Sequence, residues 1–168
     1  MIYTCAEAAK VLRKLNEDLK VLRAKEVKGY RFTAAVDEDI ESARPVYNYM
    51  ETQEEQRRIE AGIRKVKHAI NCFNISTVIP EFGMTVDEML VYIPQLSERK
   101  KKLTEMASFL PKERVSNGYQ PTKIIEYTYT NYDLKKAAED LTLVSDELAK
   151  AQTALDVINN TGQLEINF

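Results

Sequence analysis

The densest group of side chains able to do chemistry lies between Arg57 and Asn71. Arg57, Arg58, Arg64, Lys65 and Lys67 stand there against a single Glu60, with His68 and Asn71 close behind. On a helix, Arg57, Arg64, His68 and Asn71 follow at steps of seven, four and three, and so line one stripe. Arginine forks suit phosphate or carboxylate, an imidazole can donate from either nitrogen, and an amide can read a base or ribose edge. This stripe is a candidate site for a small anion of nucleotide type. The competing reading is structural, with the same residues flanking a helix pair and matched by acidic faces of the first and fourth helices. A second basic run, Arg99 to Lys102 followed by Lys112 and Arg114, reads either as part of such a site or as a solvated face. The chain also carries nine tyrosines and no tryptophan. Tyr47 and Tyr49 precede the second helix, while Tyr127, Tyr129 and Tyr132 crowd the start of the fourth, near Asn131. A tyrosine has a flat stacking face and one polar tip, which fits both the edge of a ring-binding pocket and the rim of a subunit interface. The candidate ligand-binding set is therefore Arg57, Arg64, His68, Asn71, Tyr47, Tyr49, Arg99, Arg114, Tyr127 and Asn131.

Catalytic chemistry finds little footing. His68 is the one histidine, so a multi-histidine metal site is excluded, and the two cysteines, Cys5 and Cys72, show no CxxC spacing. Both read as buried, reduced thiols on helices. A Cys72/His68 dyad, four residues apart, would lack a glycine-rich oxyanion loop and an activating acid. With five glycines in all there is no P-loop and no GxGxxG, and the carboxylates are scattered. The reading is of a protein that is not an enzyme and takes no cofactor and no metal. A net charge of −2 supplies no positive field for non-specific nucleic-acid binding. The N-terminus does not read as a secretion signal and no apolar run reaches the ~18 residues of a membrane span, so no membrane association and a cytoplasmic setting are expected.

Four stretches position these residues, and each has a helical apolar seam. Cys5, Ala8, Leu12, Leu15, Leu19 and Leu22 recur at alternating threes and fours. Thr4 with Glu7 predicts a capping box at that helix's start, and Lys28-Gly29 a stop. The second seam is Ile59, Ile63, Val66, Ile70 and Phe73, with Asn48 as cap, Asn74 as end and polar Thr52 and Gln56 at the same phase. Thr85 and Glu88 predict a second capping box, after which Met89, Leu96, Leu103 and Leu110 repeat at sevens. Pro94 predicts a kink there, or a short helix joined to a longer one. Leu134, Ala137, Leu141, Val144, Leu148, Ala151, Leu155 and Ile158 give the cleanest seam, capped at Thr130 or Asn131 and closed by Gly162. Residues 30–36 and 123–130 alternate β-branched and aromatic residues, Asn117-Gly118 is a turn signal, and the C-terminal LEINF could add a strand. Residues 37–45 read as a loop or a single helical turn.

The fold class that follows is mainly α: four long amphipathic helices (about 4–28, 48–73, 85–110 and 131–160) in antiparallel hairpins or a bundle. A small β element lies between the third and fourth, in one domain over 1–168. Helices of ~25 residues are ~37 Å long, more than a compact domain of this size spans, and their stripes are narrow. A homo-oligomer, a dimer by default, is expected.

The segments Arg44-Pro45-Val46-Tyr47-Asn48-Tyr49, Ile63 to Asn74 (IRKVKHAINCFN), Val91-Tyr92-Ile93-Pro94-Gln95-Leu96 and Ile124-Ile125-Glu126-Tyr127 with Asn131-Tyr132-Asp133 resemble a group of short bacterial and phage proteins. These are sometimes labelled septicolysin-like. The resemblance covers about residues 4–166 and implies an all-helical fold, with no mechanism that maps onto individual residues. Two functional readings remain. One is a non-catalytic oligomer that holds or sequesters a small anionic, nucleotide-type ligand at a subunit interface, which needs a concave, positive, aromatic-lined cavity. The other is a helical scaffold or adaptor for protein partners, which needs an exposed apolar patch.

Overall fold

The computed structural model describes residues 1–115 and 125–167. In chain order its elements are β1 (Ile2–Thr4), α1 (Cys5–Gly29), α2 (Ile40–Ala43), α3 (Tyr49–Ser76), β2 (Val78–Ile79), β3 (Met84–Thr85), α4 (Val86–Ser108), β4 (Lys112–Arg114), β5 (Tyr127–Tyr129), α5 (Leu134–Thr161) and β6 (Gln163–Glu165). The chain is thus mainly α, with small antiparallel strand pairs. It divides into two compact units, one of Met1–Thr77 with Val157–Phe168, the other of Val78–Asp156. No helix among the described residues is long and apolar enough to cross a membrane.

The helix starts follow local chemistry. Thr4 Oγ1 accepts from the Glu7 amide at 3.2 Å while the Glu7 carboxylate accepts from the Thr4 amide at 2.8 Å, and Thr85 and Glu88 repeat the exchange at 3.2 and 2.7 Å. Asn48 caps α3 by accepting from the Glu51 amide. The fourth long helix departs from expectation. Its cap is Asp133, which accepts from the amides of Lys135 and Lys136, in place of Thr130 or Asn131. A carboxylate there gains from the helix dipole as well as from the hydrogen bonds.

In the first unit α1 and α3 run antiparallel, as the pairs Arg23–Glu60 and Glu26–Gln53 show. The seam closes on Cys5, Ala8 and Leu19 of α1 and on Ile59, Val66 and Phe73 of α3, all buried. Leu12, Leu15, Leu22, Ile63 and Ile70, of the same seam, stay half-buried. Towards the open end the interface turns polar. The Glu26 carboxylate accepts from Tyr47 Oη, Gln53 Nε2 and Gln56 Nε2 at 3.0, 2.6 and 2.5 Å. The connection is the single turn α2, with Asp39 as cap. β1 and β6 pair antiparallel, Tyr3 opposite Leu164, which fixes the N-terminus against the C-terminal strand.

In the second unit Met89, Leu96 and Leu103 are buried along α4, and Ala137, Val144, Leu148, Ala151 and Ala154 along α5. Tyr92 Oη donates to Glu147 and Tyr132 Oη to the Met106 carbonyl, so these helices also run antiparallel. α4 passes through Pro94 as one helix, which corrects the second of the two alternatives expected there, a short helix joined to a longer one. The carbonyl deprived of its partner is that of Leu90, an exposed residue, so water can satisfy it. Leu110, the expected fourth repeat, lies beyond the end of α4 and is exposed. β2 pairs with β3 through a turn at Gly83, whose φ of 63° is a conformation glycine adopts freely.

The expected β element between the third and fourth long helices is β4 with β5, Glu113 opposite Thr128. The C-terminal strand is β6. Residues 30–36, in contrast, form no strand. Their alternation is β-like, but a strand needs a hydrogen-bonded neighbour, and this mostly exposed segment has none. The Asn117-Gly118 turn and the first two residues of the 123–130 segment lie outside the described residues.

Candidate functional site

The C-terminal half of α3 carries the strongest concentration of chemistry in the first unit. One of its faces and the chain from Gln163 to Asn167 border an open groove of about 490 Å³. Lys65, His68, Cys72 and Ser76 line it from the helix, at steps of three, four and four, and Glu165 stands on the opposite wall. The helix places them by its period, since Val66 and Phe73 one position on are buried in the seam and turn their neighbours outward. Ser76 Oγ donates back to the Cys72 carbonyl at 2.8 Å, and so serves the helix end.

Cys72 Sγ lies 3.6 Å from His68 Nε2, and both residues are exposed. This corrects the sequence expectation of a buried thiol. Only Cys5 is buried, and burial pushes its thiol pKa up, away from reactivity. Cys72 sits one position off the seam residue Phe73 and shares the outer face with His68, a signal that the spacing already held. A thiol in contact with an imidazole has two members of a nucleophilic arrangement. The third is missing among the described residues, where no carboxylate hydrogen-bonds the imidazole to orient it. No group of three or more His, Cys, Asp or Glu among them is placed to hold a metal.

The sequence-derived ligand set is dispersed. Arg57, Arg64, His68 and Asn71 are all exposed on α3, and of the four only His68 lines the groove. Arg57 Nε turns back to the Gln53 carbonyl at 3.3 Å. Tyr47 is engaged with Glu26, and burial, then that hydrogen bond, raise its phenol pKa. Tyr49, exposed in the first turn of α3, is roughly 28 Å along the helix from His68 at 1.5 Å per residue. It cannot stack on a ligand held there by the same chain. In the second unit, Arg99 is exposed on α4 and Asn131 is exposed before α5. Arg114 and Tyr127 face each other across β4 and β5.

Sequence reasoning placed Lys112 in the second basic run but missed its pairing with the tyrosines: its ammonium lies 3.9 Å from the Tyr127 ring centroid and 5.5 Å from that of Tyr129. That pairing depends on a strand register no local spacing reveals. Lys65 was counted in the first basic run but left out of the candidate ligand set. It borders both the groove beside His68 and a second one of about 480 Å³, lined by Leu15, Arg58, Ile59, Ala61 and Gly62. Helical spacing was its available signal, since Arg58 and Lys65 are seven apart on one face.

No family model matches the sequence, and no curated protein matches it. The fold is similar to that of a solved structure from Corynebacterium diphtheriae, described as a functionally unknown conserved protein. The two are 17% identical with a TM-score of 0.63, over 98% of this chain and 100% of that one. At this identity the likeness establishes the fold alone.

Proposed function

We propose that this protein is a non-catalytic helical adaptor that assembles with copies of itself and presents apolar surface to a protein partner. The observation that carries the reading is the exposed apolar end of the α1/α3 hairpin. Val27, Tyr30, Phe32, Val36, Ile40, Val46, Tyr49 and Met50 are all exposed there, Val36 and Val46 fully. Isolated exposed hydrophobics need no explanation, but eight along one helix connection form the kind of surface that marks a protein-binding site. The seam residues Leu12, Leu15, Leu22, Ile63 and Ile70, which are only half-buried, support assembly in the same way, because a second copy would complete their burial.

The groove beside Lys65 and His68 favours a second reading, a holder of small anions. It has one lysine and one glutamate on its walls and one aromatic, the buried Phe73. It also lies towards the C-terminal end of α3, where the helix dipole repels an anion. These features support the adaptor reading over anion holding.

Thermal melting with nucleotides, cyclic dinucleotides and ADP-ribose separates the two. A ligand at 100 times its dissociation constant adds about 2.7 kcal/mol, a shift of a few degrees. The adaptor reading expects no shift with any compound. A shift abolished by Lys65→Ala or His68→Ala would overturn it in favour of anion holding.

A further inference from the structure

We infer that two copies of this chain meet through α3, antiparallel, about a two-fold axis level with Glu60, each copy seating its Arg58 in a notch at the other's Gly62. The inference rests on the self-assembly reading above and names the surface that performs it.

Gly62 is the first ground. It lies in the middle of a 28-residue helix, where glycine is about 1 kcal/mol less favourable than alanine. A Cβ added there would meet only Leu15, at 3.5 and 3.9 Å, which is ordinary contact. Among the described residues nothing calls for a glycine there. A neighbouring helix approaching the groove of Leu15, Arg58, Ile59, Ala61, Gly62 and Lys65 would.

The order of charge along that face is the second ground. Glu51, Glu54 and Glu55 occupy its N-terminal part and Arg58 and Lys65 its middle, all within about a quarter-turn of the groove at 100° per residue. Glu55 and Arg58 are paired at 2.7 Å, yet their side chains remain 41% and 77% exposed. In an antiparallel pair level at Glu60, Glu55 of one copy opposes Lys65 of the other, Arg58 opposes Gly62, and Glu51 opposes Ala69. An axis one to two residues further on would set Arg58 against Lys65, and a parallel pair would set like against like throughout. The two-fold makes each favourable opposition occur twice, as an isologous contact requires.

Charge reversal tests the surface by sedimentation equilibrium on the full chain. Glu55→Lys and Lys65→Glu should each raise the dimer dissociation constant roughly tenfold or more, and the double variant should restore it to within about threefold of wild type. Gly62→Leu should weaken the dimer while helicity by circular dichroism is kept. A wild-type dimer unchanged by all three single substitutions would overturn this surface and leave self-assembly standing. A wild type that stays monomeric throughout the micromolar range would overturn both.

Discussion

Two glycines show how little a residue type says until its surroundings are known. At Gly162 an added Cβ would lie 2.5 and 2.7 Å from Phe73 ring atoms and 2.8 Å from the Ile158 carbonyl oxygen, so Gly162→Ala should destabilise the fold by about 1–3 kcal/mol. Gly62→Ala meets no such obstacle and should stabilise the isolated chain by roughly 0.5–1 kcal/mol, and urea melts at low protein concentration would read both. The sequence showed Gly162 as a helix stop, since a helix end is a local event, but gave no hint of Phe73, eighty-nine positions away. The capping boxes are legible for the same reason. Hydrogen bonds from the Thr4 and Thr85 backbones, then from their side chains, lower the carboxyl pKa values of Glu7 and Glu88. A depressed folded pKa means that the contribution is full above the ordinary glutamate range and is lost as pH falls through the lowered value. Acid titration followed by circular dichroism should therefore show stability falling below that range. Glu7→Gln with Glu88→Gln, which removes the titrating carboxyls themselves, should flatten the fall. An unchanged acid limb in that variant would remove the caps from the account.

Among the elements, the long helices are readable because their seams repeat many times, whereas the pairings of short strands are not. β2 and β3 have two residues each, and β1 finds β6 from the other end of the chain. Residues 30–36 carry a strand's alternation without a strand's partner, and Pro94 sits inside a helix where the carbonyl it leaves unpaired belongs to the exposed residue Leu90. The polar start of the second seam, visible in Thr52 and Gln56, has a concrete counterpart at Glu26. That carboxylate gathers three donors from α3 and the segment before it. Glu26→Ala would strand Tyr47, Gln53 and Gln56 at a half-buried interface, and should destabilise the hairpin by about 1–3 kcal/mol. A urea melt indistinguishable from wild type would show that water replaces the carboxylate without loss. The candidate site was legible in part. Helical spacing gives the outer face of α3 from Arg57 to Asn71, and that face exists. Its association with the tyrosines was not readable, since it required knowing that Tyr47 turns to Glu26 and that Tyr127 and Tyr129 lie against Lys112.

For the molecule as a whole, the balance between apolar content and burial is decisive. The chain is 44% hydrophobic, yet among the described residues eighteen hydrophobic side chains are buried, five of them alanine or cysteine. Burial of a large aliphatic side chain is worth about 1.5–3 kcal/mol, so apolar surface left half-covered along α1 and α3 is a driving force waiting for a second surface. No polar or charged residue is buried among the described residues, which leaves the charges of α3 on the outside, where a partner copy can meet them. Association adds to the stability of the folded state by mass action, and so the melting temperature should rise with protein concentration. The most direct measurement is the solution mass by sedimentation equilibrium, from low to high micromolar concentration. The account predicts a species of at least twice the 19.3 kDa chain mass, dissociating on dilution. A single 19.3 kDa species at every concentration would contradict it.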